Sequence, residues 1–266
     1  MSSSLERGLS VLTILSNHPE GMAVGQVAAA LDLPPSGVHR MLNQLVEYGF
    51  VYQDGAKGAY VLGMKLPALG LSYLAQTGIT DVAQPILDRL AAASQQLVRL
   101  SVIDDGNLVW VAVAQGATTG LRYDPGREQG VTAHLASSAS GLAWMSTLSD
   151  DAALEKVARQ GFSQPTSGQG APDGATDLLA RLARTRRDGY SVTINSFIPG
   201  MAAMAAPIRA AEGQALGAIS VAGPAIQLDQ GRMAELAPAL LAAVADMAGA
   251  APGSIYFRRR MAGSAV

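Results

Sequence analysis

The chain has 266 residues, enough for two modest domains with cores of their own. It contains no cysteine, which excludes disulfides and thiolate metal sites and fits a reducing cytoplasm. Charged residues are 15% of the chain and the formal net charge is −2, a balance that suggests apolar surface covered by a second copy. The three histidines, His18, His39 and His134, are too scattered for a zinc site, so no metal or cofactor is expected. The N-terminus is read as lacking a basic-then-apolar leader and no apolar run is read as long enough to cross a bilayer, so the expected location is the cytoplasm.

Leu5, Leu9, Leu12 and Leu15 space a first helix that should end at the loop signal Asn17–Gly21. A second stripe, Val24, Val27, Ala28 and Leu31, is stopped by Asp32-Leu33-Pro34-Pro35. Val38, Met41, Leu42, Leu45 and Val46 then follow the i, i+3, i+4, i+7, i+8 spacing of an amphipathic helix. Its other face carries Ser36, His39, Arg40, Asn43 and Gln44, hydrogen-bonding groups suited to base edges and phosphates rather than the Glu and Lys of a merely solvated helix. Two short β-prone runs around Asp54-Gly55-Ala56-Lys57-Gly58 predict a hairpin, so the whole reads as a winged helix-turn-helix. Lys57 and Arg7 join the helix residues as candidate DNA contacts. Over residues 1–80 four bases face five acids, a net −1, so one copy should hold DNA feebly and a dimer on a palindromic operator is expected.

These strings resemble the IclR family of bacterial transcriptional regulators. The resemblance lies in Leu5-Glu6-Arg7-Gly8-Leu9-Ser10-Val11-Leu12, in Val38-His39-Arg40-Met41-Leu42 and in Ala59-Tyr60-Val61-Leu62-Gly63, and it continues through nearly the whole chain. It implies a ligand-responsive DNA-binding regulator, a dimer or dimer of dimers, whose second domain is a GAF-like small-molecule sensor. Pro35 stands where the family often has a basic residue and Gly37 where it often has threonine.

The expected fold class is α+β, with a winged helix-turn-helix over 1–63, a linker helix over 64–78, an effector-binding and oligomerisation domain over 79–252 and a tail over 253–266. In the linker, Leu66, Leu69, Tyr73 and Leu74 have more apolar surface than one face needs, and suggest a dimer contact. Beyond a helix over Thr77–Leu97 the period becomes two: a hairpin at 100–113 turning at Asp104–Asn107, a short strand at Leu121–Tyr123, and strands at 190–194, 202–208 and 215–222. Helices are expected at 142–148, 152–159, 177–187 and 229–248, with a mobile loop over Ser163–Gly174 and a solvated, disordered basic tail at Arg258-Arg259-Arg260.

By the resemblance, three segments line the sensor pocket. They supply Ser137, Ser138 and Ser140; then Asn195, Met201 and Ala203; then Ser220 and Ala222. Phe197, Met204 and Trp110 would add apolar wall and Arg122 a charge partner, so the expected effector is a small, aromatic or mostly apolar organic acid with one polar end. No nucleotide-binding glycine loop is present. Two further readings stay open on the residues alone. One is a sensor whose winged helix mediates protein contacts, which the near-neutral charge allows. The other is a serine hydrolase built on Ser220 with His134, although Gly217–Gly223 lacks the spacing of a nucleophile elbow.

Overall fold

The computed structural model describes residues 3–55, 58–123 and 130–262, which form two compact units, Met1–Gln76 and Thr77–Val266. The first unit is built from α1 (Ser4–Ser16), α2 (Val24–Leu31), α3 (Pro35–Glu47), the hairpin β1 (Val51–Gln53) and β2 (Tyr60–Leu62), and α4 (Lys65–Thr77). Ser3 and Glu6 close a capping box at the start of α1. Asp32, in left-handed conformation at φ +52°, ends α2, and Pro35 starts α3 where its missing N–H costs nothing. The apolar stripes of all three helices converge: Val11, Leu15, Val27, Val38 and Leu42 are buried with Val51 and Tyr60 of the wing. The loop after α1 is pinned to the wing by paired backbone bonds between Met22 and Tyr60. Glycine is required at position 21, where φ is +82° and a Cβ would sit 2.9 Å from the Tyr60 carbonyl oxygen. Lys65 donates to the Tyr48 carbonyl oxygen and lies 4.9 Å from the Phe50 ring, which fixes the start of α4.

The second unit wraps helices around a five-stranded antiparallel sheet. Its elements are α5 (Ile79–Ser94), β3 (Leu97–Asp104), β4 (Asn107–Gln115), α6 (Ala139–Met145), α7 (Asp150–Gln160), α8 (Ala175–Asp188), β5 (Ser191–Ile194), β6 (Met201–Arg209), β7 (Ala215–Pro224), α9 (Gln230–Ala250) and α10 (Ile255–Met261). The strand order is β4-β3-β7-β6-β5. The register sets Arg99 opposite Ser220, Ser220 opposite Ala205 and Ala205 opposite Ser191, so these residues share one face. On that face α6 lays Ala139 and Ala143 against Ala205 and Ala218. The alternate residues of β6, Ala202, Met204, Ala206 and Ile208, are buried on the other face, the one that α5 and α9 cover.

Four expectations are corrected. Leu121–Tyr123 is not a strand: its carbonyls at Leu121 and Tyr123 accept from the side-chain amides of Gln227 and Gln115 instead of a ladder. The Ser163–Gly174 stretch is tethered, with Gly168 N–H bonded to the Ser196 oxygen and Gly170 N–H to the Asn195 oxygen. The basic tail is helix α10, anchored by buried Phe257, by Tyr256 donating to the Ile103 carbonyl and by Arg260 paired with Asp104 at 2.7 Å. Finally, Gln230–Gly253 is long and apolar enough to cross a bilayer by length and composition, yet Met233, Leu236, Leu240 and Met247 are buried inside the folded unit.

Gly37 lies in the first turns of α3, and a Cβ there would meet nothing within 4 Å. Gly37→Ala should therefore raise stability by about 0.5–1 kcal/mol through helix propensity and a less flexible unfolded chain. Urea denaturation of the full chain checks this; an unchanged or lowered midpoint would show that the glycine has another role.

Candidate functional site

Two surfaces on the chain combine exposure or a cavity with unusual chemistry. The first is the outer face of α3. Packing Val38 and Leu42 into the core turns Ser36, His39, Arg40, Asn43 and Gln44 outward, and all five are exposed. Asn43 Nδ2 lies 3.5 Å from His39 Nδ1, one helical turn away, so two of these groups are aligned along the helix. Arg7 sits on α1 and is half-buried. Lys57 lies outside the described residues.

The second is a small cavity, about 20 Å³, against the α6 side of the sheet. Its floor is Ala203 of β6 and Ala222 of β7, paired directly across the strands, with Thr193 of β5 beside them. The walls are Met201, Phe197 and Tyr123. Small residues on the floor are what leave the space: larger side chains at Ala203 and Ala222 would fill it. The one charged group among the described lining residues is Arg99 of β3, only 5% exposed, with its guanidinium carbon 4.3 Å from the Trp110 ring and 5.9 Å from that of Tyr123. Phe197 meets the same indole edge-on, at 5.5 Å between centroids. The guanidinium therefore lies among aromatic rings, and the hydroxyl-bearing Thr193 and Tyr123 are the other polar residues of the described wall.

The structure sorts the residues nominated from sequence. Met201, Phe197, Ala203 and Ala222 line the cavity. Ser220 lies on the same sheet face, two residues from Ala222 and opposite Arg99; it is buried, and its Oγ has no hydrogen-bond partner. Ser137, Ser138 and Ser140 are not in the cavity wall, and their polar atoms position α6. The Ser137 carbonyl accepts from Ser196 Oγ at 2.8 Å, Ser138 Oγ caps the helix by accepting from Gly141 N–H, and Ser140 Oγ accepts from Trp110 Nε1 at 3.5 Å. Asn195 is an exposed turn residue at φ +52°, its Oδ1 accepting from Gly200 N–H, a conformation asparagine tolerates better than most.

Three corrections follow from strand parity and exposure. Met204 faces α5 and α9, away from the cavity. Arg122 points to solvent and is replaced as the pocket's cation by Arg99, which the sequence reading missed. The signal was available: Leu97-Val98-Arg99-Leu100-Ser101-Val102 is a strand buried on both faces, and a lone arginine inside such a run is out of place unless it has a task. Ser220 forms no bond with His134, whose Nδ1 instead accepts from Ser137 N–H at 3.2 Å and meets Ser137 Oγ at 2.9 Å. No triad is assembled, and among the described residues no group of His, Asp and Glu is placed to hold a metal ion.

The model of the IclR helix-turn-helix domain matches residues 4–55, and that of the bacterial transcriptional regulator IclR C-terminal domain matches residues 71–248. Among similar proteins, the HTH-type transcriptional repressor AllR of Salmonella typhi is 28% identical over 232 residues, 86% of this chain and 82% of that protein. The transcriptional repressor IclR of Escherichia coli K12 is 27% identical over 244 residues, 92% of this chain and 88% of the other. An IclR-type transcriptional regulator from Alicyclobacillus acidocaldarius shares the fold, with a TM-score of 0.80 at 18% identity over 94% of this chain and 99% of that one. So does an IclR homologue from Microbacterium hydrocarbonoxydans complexed with 4-hydroxybenzoate, with a TM-score of 0.76 at 22% identity over 95% of this chain and all of that one (100%).

His134 gives a test of how tightly the α6 segment is held. Burial pushes its imidazole below the usual value, opposed in part by the Gln160 backbone, and the Ser137 N–H requires Nδ1 to stay unprotonated. A base whose folded pKa is depressed stabilises the fold fully above its unfolded value of about 6.5, and loses that contribution as pH falls through the folded value. His134→Gln should therefore flatten the fall in urea midpoint between about pH 7 and pH 5. An unaltered slope would place the titration elsewhere.

Proposed function

The chain belongs to the IclR family of bacterial transcriptional regulators, and from that premise we propose that it binds a palindromic operator as a dimer or dimer of dimers and changes its hold on DNA when a small organic acid enters the cavity of its second unit. It is a transcription regulator and not an enzyme, as its relatives named as transcriptional repressors indicate. The observation that carries the DNA reading is the outer face of α3: five exposed hydrogen-bonding side chains on the second helix of a helix-turn-helix, with the wing folded behind it. Arg40 is the residue best suited to guanine or phosphate, with Asn43 and Gln44 suited to adenine edges. Repression, in the cytoplasm, is the mode in keeping with the names of the relatives.

The effector reading rests on the cavity. The described wall is mostly apolar and aromatic, which is in keeping with a small acid with an aromatic or aliphatic body, and a neighbour of the same fold was crystallised with 4-hydroxybenzoate. Self-association is supported by α4, which leaves Leu69 and Leu71 exposed in one copy. Dimerisation also answers the weak charge of residues 1–80, because two copies double the contacts on a symmetric site.

Fluorescence anisotropy on the DNA upstream of this protein's own coding region tests the reading. Wild type should bind with an affinity that falls as salt rises, and Arg40→Ala should weaken binding by roughly 10-fold or more, the worth of one good base or phosphate contact. Absence of sequence-preferring binding at low salt, with and without candidate acids, would overturn the DNA reading in favour of an interaction module.

A further inference from the structure

The cavity against the sheet holds about 20 Å³, room for roughly one water molecule, whereas a pocket that takes an organic acid needs on the order of 300 Å³. Some part of its wall therefore has to give way before a ligand enters. The floor is fixed: Ala203 and Ala222 are paired on strands that each have neighbours on both sides. The Phe197 side is pinned as well. Asn195 Oδ1 accepts from Gly200 N–H, the Gly200 carbonyl accepts from Ala225 N–H, and Ser196 Oγ donates to the Ser137 carbonyl. The third side is different. Tyr123 closes it at the end of the segment 117–123, which follows β4 and whose residues 118–122 are exposed. Among the described residues no backbone bond joins 117–122 to a strand or helix. Two side-chain amides hold the segment down instead. Gln115 Nε2 donates to the Tyr123 carbonyl at 2.8 Å, and Gln227 Nε2 donates to the Leu121 carbonyl at 3.0 Å. Gln227 is itself braced, its Oε1 accepting from Gln96 Nε2 at 3.4 Å. Each latch is a neutral hydrogen bond, worth about 2- to 10-fold in an opening equilibrium.

We propose that the segment 117–123 is a strap over the cavity, latched by Gln115 and Gln227, and that its release admits the ligand. This rests on the reading of the cavity as the effector site, and it adds what that reading leaves open, namely how a space of one water becomes a pocket. Gly116 is the fixed end: its N–H is bonded to the Gln96 carbonyl, and a side chain there would run into the Ala91 carbonyl. Gly120, at φ +77° with nothing within 4 Å of where a Cβ would stand, supplies a joint in the exposed part. Swinging the strap outward carries the Tyr123 ring out of the wall and leaves the ladder, α6 and Phe197 where they are. Gln115 and Gln227 are positioning residues, since neither lines the cavity and each acts through the carbonyl it holds.

Thiol labelling of the full chain tests this without any ligand, because the chain has no cysteine of its own. Ala222→Cys, at a position 3% exposed on the cavity floor, puts a single thiol behind the strap. Iodoacetamide should label it about 100-fold more slowly than the thiol of Glu212→Cys, which lies in an exposed turn, as for a site reached only through a minor open state. Removing both latches, Gln115→Ala with Gln227→Ala, should speed labelling of the floor thiol by roughly 5- to 100-fold, the product of two neutral hydrogen bonds. The urea midpoint should stay near wild type, and the thiol of Met204→Cys, on the opposite face of the sheet, should label no faster. Equal acceleration on both faces would mean general loosening, and no acceleration at the floor would mean that another wall opens. Either result overturns the proposal, as does a floor thiol that labels as fast as the exposed one with both latches in place. Operator binding is read separately by anisotropy, so a failed strap with salt-sensitive DNA binding would fault the gate and not the regulator.

Discussion

A guanidinium held inside a β-sheet is the constraint on which the second unit depends. Arg99 cannot be moved by one residue without turning its side chain to the α5 and α9 side, because strand parity alternates faces. Its position therefore binds together several choices that look independent. Trp110 must sit on the same face, and it does so across a register shift between Leu100 and Ser101 that re-aims β4. Phe197 must meet Trp110 edge-on from the loop after β5, which the tethers from Gly168 and Gly170 to the 195–196 backbone hold in place. The α6 segment must be narrow, and it packs with Ala139 and Ala143, roofing the sheet beside the cavity without filling it. Four hydroxyl groups then lock that segment: Ser138 caps it, Ser140 receives the Trp110 indole N–H, Ser191 Oγ donates to the Ala139 carbonyl at 2.7 Å, and Ser196 Oγ donates to that of Ser137.

The first unit was the more legible of the two in the sequence. Its helices are amphipathic on one face only, so the period of Val38, Met41, Leu42 and Leu45 named both the core and the exposed face of α3. The sheet's strands were legible as runs, since β-branched and small apolar residues between turn signals admit few other readings. Which face each residue takes was not legible, because strands buried on both sides lose the alternation that marks a core face. The runs alone therefore do not separate Met204 from Met201, although an odd spacing divides them, nor mark Arg99 rather than Arg122 as the residue beside the cavity. For Ser137, Ser138 and Ser140 the chain alone does not distinguish a hydroxyl facing a cavity from one that holds a helix end. The basic run at 258–260 reads as solvated in sequence because its anchors, Phe257, the Tyr256 bond to Ile103 and the Arg260–Asp104 pair, all reach distant parts of the chain.

The small number of cations in residues 1–80 has a thermodynamic consequence for regulation. Most non-specific affinity for DNA comes from phosphate neutralisation, and a net charge of −1 leaves little of it. Binding then depends on the few groups of α3 and, in the proposed dimer, on both copies engaging at once, so whatever sets the geometry of such a pair would set the affinity. Under those conditions a modest change suffices to release the protein. A coupling of about 1–3 kcal/mol between ligand and DNA is a 5- to 150-fold change in operator affinity. Linkage makes this reciprocal: an acid that lowers DNA affinity by some factor must bind the DNA-free protein more tightly by the same factor. The energy for it has to be a difference between two states of the cavity, since a ligand held equally well in both shifts nothing.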